Sequence, residues 1–382
     1  MPRGTDEGEK GKNDVAARTA QLVQLLTELG PDIPEISRRL GQFKESVRYR
    51  YKQKILGEGF AIQAAVNHEG LGLKRVVLLA KFSAPYEAYG ETILTAMNEL
   101  CYVVSFERTL PEGEFLVNAS VPSEFLHDFT SFISALHDRG LFSRVEVYSF
   151  DSMRNVPMRA EFFDFDEGIW DFDFSSSTKF EPAAYVASKK ARFDYVDLLL
   201  LKELQVDATR SLTEIAAGLK LNYKMLAWHF SEHVLRRGLI KGYTVNWMGT
   251  RYESKIEKAL HRRHRYVRVD LLARCRDEPE RMGLMSKSNM LPFLWAEAYG
   301  SDYYAQFAFP VDFVNEAMQY LRQAFHDLDG RGGFRFLDQT DALAFTISYK
   351  LFDAEEKRWT FDSSKLLANF DGLLQKIKEG SG

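Results

Sequence analysis

The side chains best equipped for chemistry lie on one predicted helix. Over residues 44–56 the chain reads KESVRYRYKQKIL, in which Lys44, Arg48, Arg50, Lys52 and Lys54 are basic and only Glu45 opposes them. Val47, Tyr51 and Ile55 recur at i, i+4 and i+8, the inward stripe of a helix, so the cations face outward. Such a row neutralises phosphates, and Ser46 and Tyr49 add hydroxyls suited to phosphate oxygens. The expected partner is double-stranded DNA, held by Lys44, Ser46, Arg48, Tyr49, Arg50, Lys52 and Lys54.

A second helix, over 223–237, offers Lys224, His229, Arg236 and Arg237, diluted by Trp228, Phe230 and Glu232. These four are weaker candidates for the same contact. The densest basic cluster runs over 255–265, with Lys255, Lys258, His261, Arg262, Arg263, His264 and Arg265; Arg262 and Arg263 are candidates for the DNA backbone. His229 and His233, four apart, have the spacing of a metal pair, but no HExxH and no third ligand accompany them. They are read as surface histidines, and neither a metal nor a cofactor is expected. No Ser-His-Asp set, P-loop or dinucleotide glycine motif appears, so no catalytic residue is assigned and the chain is read as a non-enzyme.

The elements that must position these residues are written twice. Residues 33–67 and 212–246 align without a gap at an offset of 179 positions (Ile33 to Leu212), sharing Glu35/Glu214, Ile36/Ile215, Leu40/Leu219, Leu56/Leu235, Gly59/Gly238, Val66/Val245 and Asn67/Asn246. A fixed offset marks an internal repeat. In each copy a short helix, a turn, a longer helix ended by glycine and an alternating strand follow a preceding helix, which is the plan of a winged helix-turn-helix. Behind each copy the pattern predicts β-α-β-β-α-β, a ferredoxin-like sheet domain.

The expected fold class is α+β. A polar tail covers 1–14, the first winged unit 15–68 and the first sheet domain 72–150. An acidic and aromatic linker covers 151–193, the second winged unit 194–250, a basic insertion 251–264, the second sheet domain 265–353 and a C-terminal amphipathic helix 360–379. In the linker, AEFFDFDEGIWDFDF interleaves acids with aromatics. It is read as an arm whose rings pack into the body, since so many Phe and Trp are costly to leave in water. Its acids also suggest a cover for a basic DNA face.

The 382 residues suffice for two or three domains, and a net charge of −4 gives no broad attraction to phosphate, so DNA must be met by local patches. Cys101 and Cys275, in apolar settings, are expected as buried free thiols. Nothing resembles a signal peptide or a membrane span, which places the chain in the cytoplasm.

The order of a winged helix-turn-helix followed by β-α-β-β-α-β resembles the Lrp/AsnC (feast/famine) transcription regulators of bacteria and archaea. Val47-Arg48-Tyr49-Arg50-Tyr51-Lys52, continuing to Leu56, Glu58 and Gly59, looks like that family's recognition helix. Copy two keeps only Leu235, Arg236, Arg237, Gly238 and Leu239 near the helix end. The resemblance spans 15–150 and 194–353. It implies a transcription regulator in the form of a built-in pseudo-dimer, reading an asymmetric duplex site. It also implies association through the sheet domains, and a small-molecule effector such as an amino acid. The C-terminal helix is a second candidate for pairing into a homodimer. Two other readings stand beside it. One is an interaction scaffold of the transcription apparatus. The other is an enzyme resembling the siroheme decarboxylases, built on the same duplicated plan, for which His229, His233, His261 and His264 are on offer. A cavity between the halves lined by His favours a ligand or enzyme; an open basic face around Arg48 and Arg50 favours DNA.

Overall fold

Local signals carried by the letters set the helices of the first half. In the computed structural model, which describes residues 6–165, 167–175, 188–247, 266–328 and 330–380, the chain opens with α1 (Asp6–Leu29), α2 (Ile33–Leu40) and α3 (Lys44–Arg50). α1 starts inside the stretch expected as a tail. Asp32 caps α2 by accepting from the Glu35 amide at 3.1 Å, and Gly41 ends it at φ 63°, a conformation glycine adopts without strain. Past Arg50 the helix continues over Tyr51–Leu56 with wider turns. Ile36, Val47 and Ile55 are wholly buried, as the spacing required.

The wing strand β1 (Ala61–Val66) leads into β2 (Leu73–Phe82), α4 (Gly90–Leu100), β3 (Val103–Leu110), β4 (Phe115–Pro122), α5 (Leu126–Asp138) and β5 (Phe142–Asn155), the expected ferredoxin-like order. Ser123 does not cap α5; it begins a short 3-10 turn and its hydroxyl donates to the Gly72 carbonyl at 3.0 Å. A small hairpin follows, β6 (Phe163–Asp164) and β7 (Ile169–Trp170).

The second half repeats the plan. α6 (Tyr195–Val206), α7 (Leu212–Leu219) and α8 (Tyr223–Trp228, continued to Leu235) precede the wing strand β8 (Ile240–Asn246). Ser211 and Glu214 form a capping box on α7. Then come β9 (Tyr266–Ala273), α9 (Glu278–Asn289), β10 (Leu294–Gly300), β11 (Tyr303–Pro310), α10 (Val314–Ala324) and β12 (Gly332–Ala344). The last strand begins ten residues before the expected 342, because it runs beside most of β9 (Gly332↔Ala273 to Leu337↔Arg268) before crossing to β3. A second hairpin, β13 (Phe352–Asp353) with β14 (Arg358–Trp359), and α11 (Ser363–Gly380) complete the chain.

Two unions join the halves. The wing strands pair with each other, antiparallel, from Ala61↔Asn246 to Val66↔Ile240. The two four-stranded sheets meet edge to edge, β3 with β12 and β5 with β10, closing an eight-stranded barrel in the order β10-β11-β9-β12-β3-β4-β2-β5. The sheet association expected between protomers therefore takes place inside one chain, and closure leaves this sheet no free edge. Gly30 (φ 67°) permits a further contact between the units: a Cβ there would stand 2.4 Å from the Tyr243 ring.

The acidic and aromatic segment is a packed arm. Phe163, Phe165 and Trp170 are buried against Phe60, Trp247 and Phe293 of the body. Its acids Glu167 and Asp171 stay exposed. The second hairpin is its counterpart, and each crosses to the other half: Trp170 Nε1 donates to Tyr266 Oη at 3.1 Å, and Trp359 Nε1 to the Leu71 carbonyl at 3.0 Å. Helix α11 docks on α5, with Phe370 against Phe132 and Arg139 paired to Asp371 at 2.8 Å. Among the described residues no helix is long and apolar enough to cross a membrane.

Candidate nucleic-acid interface and central cavity

On α3 and its continuation the inward stripe leaves the polar face in solvent. Lys44, Ser46, Arg48, Tyr49 and Lys52 are exposed, and Arg50 and Lys54 are half-buried. Among the described residues no acid pairs with Lys44, Arg48, Lys52 or Lys54. Phe43, at the helix entrance, is 84% exposed and Tyr49 69%. The described residues of the arm leave this face open.

The corresponding face of α8 differs. Lys224 is exposed, but Arg236 is paired with Glu232 at 2.7 Å and Arg237 donates to the Arg192 carbonyl at 2.6 Å. His229, expected at the DNA, is turned inward: it is 6% exposed and its Nδ1 lies 2.8 Å from Asp197 Oδ1. His233, read as a surface residue, is also 6% exposed. Both imidazoles stand on one wholly buried carboxylate, which a carboxylate inside the body makes favourable. Arg262 and Arg263, and with them the basic insertion, lie outside the described residues.

Between the paired wings and one mouth of the barrel lies a cavity of about 960 Å³, with Gln63, Thr244 and Asn246 above it and Tyr266, Trp295 and Phe345 at its sides. Its floor holds Arg75, Arg268, Glu107, Asn118 and Gln306. The two arginines are counterparts: Leu73 faces Pro122 and Tyr266 faces Pro310, and each arginine sits two residues further along. Glu107 lies 2.9 Å from Arg268, which also donates to Gln306 at 2.9 Å. Burial lifts the Glu107 carboxyl above its ordinary range against the pull of Arg268. Burial pulls Arg75 down to about 10. Burial, then the charges of Arg75 and Lys241, hold His68 well below the usual imidazole range, and so neutral.

Two residues past Arg268, Asp270 is wholly buried. Burial pushes it up to about 7, with Arg335, 4.0 Å away, opposing and Glu107 adding to the shift. No group of the described chain makes a hydrogen bond to Arg75 Nε, His68 Nδ1 or Asn118 Oδ1. Each such buried atom destabilises by about 1–3 kcal/mol until something pairs with it. The site thus presents arginine donors and a neutral imidazole suited to anionic groups, and burial inclines the Glu107 carboxyl beside them toward its protonated form. Sequence reasoning missed it, because its lining comes from many separate elements. The equivalence of Arg75 and Arg268 was the one signal available.

Comparison with known proteins adds the following. No family model matches the chain, and no curated protein matches it. The crystal structure of the siroheme decarboxylase NirDL matches at a TM-score of 0.51 and 11% identity, covering 92% of this chain and 98% of that one. The same protein in co-complex with an iron-uroporphyrin III analogue matches at 0.50 and 10%, covering 88% and 94%. The shared fold is a duplicated, AsnC-like α+β architecture. The structure of E. coli AsnC matches 34% of this chain at 13% identity and a TM-score of 0.27. The reading as a non-enzyme is corrected here: the architecture that matches nearly the whole chain is one that an enzyme uses.

Proposed function

We propose that the chain is a cytoplasmic DNA-binding transcription regulator, a pseudo-dimer that meets an asymmetric duplex site mainly through its first winged unit, with Arg262 and Arg263 of the basic insertion as further backbone contacts. The observation that carries this reading is the open face of α3, where Lys44, Arg48, Tyr49 and Lys52 are exposed and, among the described residues, no acid pairs with the three cations. A recognition helix that served only packing would have no need of this array. The cavity on the axis between the halves is the natural seat of an anionic effector, since a guest there touches both wing strands at once.

Gel shifts on duplex DNA at varied salt test the reading. Each phosphate contact contributes about 0.9 to the slope of log affinity against log salt. Arg48→Ala/Arg50→Ala is expected to lower that slope by about 2 and to weaken binding on every sequence alike. A slope unchanged in the double variant would exclude the first unit as the contact.

A second reading is favoured by the cavity itself: decarboxylation of a carboxylate-bearing tetrapyrrole. Arg75, Arg268 and neutral His68 would hold carboxylates, and Glu107, which lines the cavity and which burial inclines toward its protonated form, would supply the proton that replaces the departing carbon dioxide. Mixing the chain with siroheme, and following both the absorption spectrum and released carbon dioxide, tests it. Binding with turnover, lost in Arg75→Ala/Arg268→Ala, supports catalysis; binding without turnover supports an effector site.

A further inference from the structure

The structure assigns a divalent-metal site to the second winged unit, formed by Asp194, Asp197, His229 and His233. One donor atom from each of the four lies within 4.8 Å of those of the others, and three of the residues are buried. His229 Nδ1 stands 2.8 Å from Asp197 Oδ1 and 3.8 Å from Asp194 Oδ1, and His233 Nδ1 stands 3.1 Å from Asp197 Oδ1. Around a tetrahedral ion with bonds of about 2.0–2.1 Å, donor atoms sit roughly 3.3 Å apart. The observed separations bracket that value, so small side-chain rotations admit an ion.

The surroundings are those of a prepared site. Asp197 Oδ2 accepts the Asp194 amide at 2.9 Å, and Asp194 Oδ1 accepts the Val196 amide at 2.9 Å. This capping box orients both carboxylates, as outer partners orient metal ligands. The Trp228 ring lies 4.5 Å from the His233 ring and 5.1 Å from the His229 ring, walling the cluster on its outer side. Nor does the fold require these residues. At the offset of 179 the first unit has Arg50 and Lys54 where the second has His229 and His233. The same backbone is therefore built without the cluster.

Two nitrogens and two carboxylates select a borderline ion such as Zn²⁺ over Mg²⁺ or Ca²⁺. Each imidazole would meet the ion with its Nδ1 lone pair and carry its ring proton on Nε2. An ion here ties the first helix of the unit to its recognition helix.

The test uses the full chain, stripped with chelator and titrated with Zn²⁺ by calorimetry and with Co²⁺ by Trp fluorescence. One equivalent of Zn²⁺ is expected to bind, and at least tenfold more weakly in His229→Gln/His233→Gln, which keeps polar groups facing Asp197. Co²⁺ is expected to quench Trp228, and the quenching to vanish in Trp228→Phe, a readout that does not need the ligand variant to fold. No binding to the parent chain, equal binding in the double Gln variant, or quenching that persists in Trp228→Phe overturns the assignment. DNA binding through the first unit is unaffected by any of these outcomes.

Discussion

The two winged units share a skeleton and differ in nearly everything they show to their surroundings. Ile36 and Ile215 are both fully buried at equivalent places, and a glycine closes each longer helix. Yet Arg50 and Lys54 of one unit stand where His229 and His233 of the other turn inward onto Asp197. After the wings, His68 of the first copy lines the cavity while its counterpart Trp247 anchors an aromatic cluster with Phe60, Phe163, Phe165 and Trp170. Duplication kept the letters that hold the helices together and released the rest. One unit then specialised as a surface, the other as a support.

That contrast is open to attack residue by residue. Trp247→Ala is expected to destabilise the chain by about 3–5 kcal/mol, and His68→Ala by less than about 1 kcal/mol; chemical denaturation measures both, and similar losses would erase the division of roles. Next in size is the pair Val77 and Asp270, counterparts on β2 and β9. Burial pushes the folded Asp270 carboxyl up to about 7, well above the usual aspartate value of about 4. The native state therefore binds the extra proton, and stability is fully present below about 4 and falls as pH rises to about 7. The loss is on the order of 4 kcal/mol at most. Asp270→Asn should flatten that dependence in pH-resolved melts, and an unchanged profile would refute the burial argument. Smaller still, Arg48→Ala is expected to weaken duplex binding by about 1 kcal/mol, and Lys224→Ala by a fraction of that. Equal losses would mean that both units engage DNA alike. Smallest are Tyr49→Ala and Trp228→Ala, each expected within about 0.5–1 kcal/mol of the parent in stability, because both rings are half-exposed or more.

The sequence made some layers of this molecule plain. The 179-residue offset, the helix-turn-helix stripe and the strand order of both sheets follow from short-range periodicity, and the structure has them. Closure of the barrel was not legible, since pairing Leu110 with Phe336 or Phe150 with Gly300 joins segments far apart in the chain. The repeat of the arms was written in FFDFDEGIWDFD and LFDAEEKRWTFD, but at an offset of 189 (Phe163 to Phe352) that the inserted residues had shifted. Asp197 escaped as a partner for His229 and His233 because it sits 32 and 36 positions upstream. Burial of a charged group shows only in three dimensions.

The crossing of the arms has a consequence for synthesis. When the first half leaves the ribosome, its sheet has two bare edges, at β3 and β5, and the rings of its arm have Phe60 but neither Trp247 nor Phe293 to rest on. Neither need is met until β10, β12 and Phe293 have been made. The nascent first half is thus an incomplete object that waits for its sibling, and a chain cut between them should clump rather than persist as a domain of its own.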